Sequence, residues 1–101
     1  MTDTFVLSGN KATILKDPDA ILDYTWDWSA YLADISDEIA SYEIIVEVGL
    51  TVVSHTQPTP EKITAFISGG EAGSTYVATC RIVTEEGRTD DRSIYLKCVD
   101  R

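Results

Sequence analysis

His55 is the single histidine of the 101-residue chain, and Cys80 and Cys98 are its two cysteines. A metal centre built on several histidines is therefore excluded, and neither an HExxH nor a GxSxG string occurs. A Cys-His nucleophile would need one thiol beside His55. Both cysteines instead fall on core-facing strand positions, where a thiol serves as a small apolar filler. Asp17, Asp19, Asp23 and Asp27 offer hard oxygen ligands, but the closely spaced acids, turn glycine and distant glutamate of a calcium loop are missing. These acids read as solvated or partner-facing. Gly69-Gly70-Glu71-Ala72-Gly73 carries the glycines of a phosphate loop without a Lys-Ser or Lys-Thr pair, and a strand follows it, so it reads as a turn. Trp26 and Trp28 could stack on a sugar ring with acids nearby, although large rings on one strand face more often fill a core. Nothing places two carboxylates across a cleft for glycoside hydrolysis. The expectation is a non-enzymatic protein with no catalytic, metal or cofactor-binding residues.

The elements that position these residues are strands. From Leu22, Tyr24, Trp26 and Trp28 alternate with Asp23, Thr25 and Asp27, so a period of two places every large ring on one face. Pro18 fixes its own φ and biases Asp17 toward extended backbone, which predicts an extended approach to that strand. Residues 1–15 are weakly patterned, with apolar pieces at Phe5–Leu7 and Ile14–Leu15 around a Ser8-Gly9-Asn10 turn signal, and read as an arm. Ser29 is expected to cap a single helical turn through Ala30–Ala33. Alternation then returns with Ala40, Tyr42, Ile44, Val46 and Val48 on one face and Ile45 as the exception. Leu50–Ser54 gives a short strand, Pro58 and Pro60 frame a loop, and Ile63, Ala65 and Ile67 line the next core face, leaving Phe66 outward. Tyr76, Ala78, Cys80 and Ile82 form the core face of a further strand, which turns at Glu86-Gly87 into one led by Ile94, Leu96 and Cys98.

This adds up to about seven short strands with turn signals between them and no sustained helical period. The pattern predicts an all-β chain, an antiparallel β-sandwich of immunoglobulin or fibronectin type III kind, with residues 1–20 as an extended N-terminal arm and residues 21–101 as the sandwich. Tyr24, Trp26, Trp28 and Tyr76 are expected to be core anchors. In the last hairpin, facing residues should have numbers summing to about 173, placing Cys80 opposite Ser93. Cys98 would then lie about 16 Å further along, beyond the reach of a disulfide, so both thiols are expected to be reduced and buried, as suits synthesis in a reducing cytoplasm.

The chain is one domain in length, and its formal net charge is -9. The charge is uneven: nine carboxylates and no Lys or Arg lie between Asp17 and Glu47. Such a field repels phosphate backbones and anionic lipids, so neither nucleic acid nor membrane is an expected partner. No stretch is long enough to span a bilayer, and Phe5–Leu7 is too short for a signal-peptide core and lacks a basic segment before it. The acidic face can instead dock against a basic patch on another protein.

Two segments resemble known families. Gly73–Ile94, GSTYVATCRIVTEEGRTDDRSI, is similar to the last hairpin of fibronectin type III and related immunoglobulin-like domains, with a tyrosine at the strand start and a Glu-Gly turn. KDPDAILDYTWDWSAYLAD, an alternating strand, ISGGEAGSTYVATCRI and EEGRTDDRSI together resemble small tailed-bacteriophage virion proteins described as fibre-tail adaptors or immunoglobulin-like structural proteins, over residues 16–98. The resemblance implies a structural part of the virion, made in the host cytoplasm, that links the tail or head-tail connector to fibres or other appendages. Its partners would be other tail and connector proteins and fibres, with several copies in a symmetric ring. Asp17, Pro18, Asp19 and the outward Phe66 are the expected partner-binding residues. The alternative is a carbohydrate-binding module that holds a host surface glycan through Trp26 and Trp28.

Overall fold

The computed structural model describes the backbone of residues 6–7 and, in full, residues 13–99. The expected Ser8-Gly9-Asn10 turn lies outside the described residues. In chain order the elements are β1 (Val6–Leu7), β2 (Thr13–Lys16), β3 (Leu22–Asp27), α1 (Ser29–Ile35), β4 (Ile39–Val46), β5 (Leu50–Thr59), β6 (Lys62–Gly69), β7 (Thr75–Thr84) and β8 (Thr89–Cys98). They form two four-stranded sheets, ordered β1-β3-β6-β5 and β2-β8-β7-β4. With β3 to β8 taken as strands B to G, this is the B-E-D and C-F-G arrangement of an immunoglobulin-like sandwich. The two short N-terminal strands take one outer edge each, pairing parallel with β3 and β8, while the other strand pairs are antiparallel.

The core lies between the sheets and follows the period-two pattern. Tyr24, Trp26, Ile63, Ala65 and Ile67 from one sheet meet Ala78, Cys80, Ile82, Ile94 and Leu96 from the other, all at most 1% exposed. Trp28 and Leu32, from the β3–β4 crossover, close one end of this cluster. The indole N–H groups of Trp26 and Trp28 are buried without a hydrogen bond of ordinary geometry. That of Trp28 leans on the Cys80 sulfur, a soft acceptor. Arg92 lies over the Trp28 ring at 4.5 Å and near Tyr31 at 5.7 Å, lidding the cluster with a cation–π stack.

Several local expectations are corrected. Asp17–Ala20 is a turn, closed by Ala20 N–H donating to the Asp17 carbonyl at 3.0 Å, because proline at the second turn position suits its fixed φ. The chain does not run through Pro18 as an extended arm. Just before it, Thr13–Lys16 is extended but is docked as a sheet edge against β8. The helix starts at Ser29 and runs two turns instead of one. Ser29 is not its cap: the Asp27 Oδ1 accepts the Ser29 N–H at 2.9 Å, and the capping position, Trp28, contributes no side-chain bond.

A register shift between Ile39 and Ser41 takes Ala40 out of the expected core face, so that Ile39 packs inward in its place. Val48, expected on that same face, is 99% exposed in the turn after β4. β5 continues through Pro58 to Thr59, because proline is tolerated on an edge strand at a register shift. In the last hairpin Cys80 faces Arg92, one residue from the expected Ser93, because the Thr84 N–H donates to the Arg88 carbonyl across a three-residue turn, Glu85-Glu86-Gly87, with Gly87 at φ 89°. The cysteines stay far apart, free and buried.

Candidate functional site

Asp17, Pro18 and Asp19 sit at one pole of the sandwich, where β2 hands the chain to β3. The Asp17 Oδ1 accepts the Asp19 N–H at 2.9 Å, which fixes the turn and leaves Asp19 exposed. Beneath the turn lies Lys16, a fully buried lysine that the sequence pattern does not flag. Its Nζ donates to the Gly69 carbonyl at 2.7 Å and to the Asp17 carbonyl at 3.0 Å. β2 belongs to one sheet and Gly69 to the other, so this side chain ties the two sheets together. Burial draws the ammonium below the ordinary lysine range, against the opposing pull of Cys98, Asp17 and Asp19. The sequence cue is slight: in TILK, period two puts Lys16 on the same face as the partly buried Ile14.

The same pole holds Tyr76 near the start of β7. Its hydroxyl accepts the Glu71 N–H at 3.0 Å, which pins the β6–β7 corner back to the strand, as in the tyrosine corner of immunoglobulin-like domains. The ring fits only because its neighbours are glycines. A Cβ at Gly49 would come within 2.6 Å of the ring, and one at Gly70 would collide with the Cys98 sulfur. Both glycines also hold positive φ, +111° and +95°, which side chains resist. This accounts for the glycine-rich loop as turn and packing chemistry.

Phe66, 39% exposed, projects from the outer face of β6 with Asp23 and Ser54 as its cross-strand neighbours. Its side chain is therefore on a sheet face, whereas Asp17, Pro18 and Asp19 gather at the pole. Tyr24 and Trp26 are 1% exposed and Trp28 is 0%, so neither indole offers a face to a glycan. Tyr76 is half-buried.

The chemistry-bearing residues do not converge. His55 lies on the edge strand β5 and shares a 2.8 Å hydrogen bond with the Tyr42 hydroxyl of β4, closing the open side of the sandwich. Cys80 is fully buried, and desolvation pushes its thiol up to about 12, so it holds its proton at neutral pH. Among the described residues no group of three His, Cys, Asp or Glu side chains could hold a metal ion, and no helix is long and apolar enough to cross a membrane. The arrangement presents surfaces on a packed β-sandwich.

No curated protein matches the sequence. A family model does, over residues 16–97, from the buried lysine to the penultimate residue of β8, and this span contains the pole, the glycine-cradled tyrosine and all of β3 to β7. The chain therefore belongs to the family described as podophage GP4 fiber-tail adaptor protein gp77.

Proposed function

We infer that this protein is a structural component of a tailed-phage particle that links the tail or head-tail connector to fibres or other appendages. The family match over residues 16–97 carries the reading. The acidic pole supports it, since a domain with exposed Asp19 beside Asp17 and Pro18 suits a basic groove on a neighbour better than a phosphate backbone or an anionic bilayer. Asp17, Pro18 and Asp19 act as the assembly handle toward a neighbouring protein, and Phe66 adds an apolar contact on the sheet face. Several copies form a symmetric ring, which gives each handle an equivalent neighbour. The role needs no catalysis and no cofactor.

Mass spectrometry of purified particles tests this directly: the protein should co-purify with tail components, and lysine crosslinking should join Lys97 to a connector or fibre protein. Detection only in infected-cell lysate, never in particles, would sink the assignment.

A further inference from the structure

At the pole opposite Asp17, a cleft of about 540 Å³ opens between the end of α1 and the β5–β6 turn. The strand registers fix this opposition. β3 and β6 run from the Leu22–Ile67 pair beside the handle to the Asp27–Lys62 pair beside the cleft. The Trp28 N–H then donates to the Glu61 carbonyl at 2.9 Å, which holds the helix start against the turn. Buried Leu32 and the exposed Ala33 and Pro60 give the cleft an aliphatic part, beside Ser29 and Ser36, and the exposed carboxylates Glu38 and Glu61 line it too. Asp37, at the back, is already engaged: its Oδ2 accepts from Arg88 at 2.7 Å and its Oδ1 from the Glu38 N–H at 2.8 Å. No cation lines the cleft, and the last turn of α1 carries no basic residue.

We propose that this cleft docks a lysine- or arginine-bearing segment of a second virion protein, different from the one that takes the handle. The proposal rests on the adaptor reading and adds a second contact to it. Aliphatic lining beside exposed carboxylates fits a side chain with a hydrocarbon stem and a cationic head. The carboxylates are too dispersed to close on a bare metal ion. None of the residues lining the cleft is aromatic, so a sugar finds no ring to stack on. A second copy of this chain is a poor donor of the cation. It brings a net charge of -9, and among its described cations Lys16 is buried, Arg81 pairs with Asp91, Arg88 with Asp37 and Arg92 lies over Trp28, which leaves only the exposed Lys97 and the partly buried Lys62. Two acidic docking poles on one rigid body give a linker between two basic partners.

The test places a photo-crosslinking amino acid at Ala33 of the full-length protein, in infected cells, and sequences the adducts from purified particles. The expected adduct is a peptide containing Lys or Arg from another virion protein. The E38K/E61K variant should melt like the parent yet be incorporated about tenfold less, the effect of roughly one lost charge contact. E38Q/E61Q should fall between the two. Adducts only with a second copy, adducts lacking a basic residue, or normal incorporation of E38K/E61K would overturn the proposal while leaving the adaptor reading intact. Absence of the parent protein from particles would overturn both.

Discussion

Cys80 shows how a single buried side chain shapes the response of the whole domain to pH. Its thiol is fully buried and pushed up to about 12 from an ordinary 9.0, with desolvation as the cause. The folded state therefore holds this proton between about pH 9 and 12, where the unfolded state has released it. Stability from this group is full below pH 9 and is lost as pH rises toward 12, by roughly 4 kcal/mol at the top of the window. Denaturant unfolding of Cys80→Ala across that range should show a flatter decline than the parent, alongside a constant cavity cost. Equal slopes would show that the thiolate is not excluded. Lys16 has the opposite sense: its lowered value makes stability grow as pH rises toward the ordinary lysine range, so comparison of variant and parent isolates Cys80.

The helix start illustrates the element scale. Asp27 was legible in the sequence as an outward strand residue, but its second task, accepting the Ser29 N–H, was not. Burial pushes its carboxyl up, yet hydrogen bonds from Ser29 and the charges of Lys62 and Arg92 outweigh that and hold it below the ordinary aspartate range. Asp27→Ala should cost about 0.5–2 kcal/mol by chemical denaturation, as loss of a cap does, whereas Ser29→Ala should cost little. The reverse ranking would restore serine as the cap. The strands themselves were readable because Tyr24, Trp26, Ile63, Ile67, Ile82 and Ile94 sit at strict period-two spacing with one face buried. What escaped was tertiary. The bulge at Ala40 depends on the partner strand, and the burial of Lys16 depends on a carbonyl 53 residues away. No local pattern encodes either one. Of the candidate site, the acidic character of Asp17 and Asp19 was legible, but the cleft lined by Glu38 and Glu61 was not, because its two halves come from distant turns.

On the scale of the whole molecule, the first and last described strands of one sheet lie side by side and run the same way, from Thr13 opposite Tyr95 to Lys16 opposite Cys98. Lys16 accepts the Val99 N–H at 3.0 Å, so Lys16 and, two residues earlier, Ile14 turn their backbone groups toward this seam. A tensile load entering before Thr13 and leaving after Cys98 pulls two parallel neighbours past each other. The ladder is then strained in shear, all rungs together, instead of being unzipped one at a time. Tension applied between these two ends thus meets the sandwich in its strongest geometry. In single-molecule stretching from the two ends, Ile14→Pro, which deletes a rung, should lower the rupture force well beyond what its lost equilibrium stability explains. A rupture force that merely tracks stability would mean the seam carries no load.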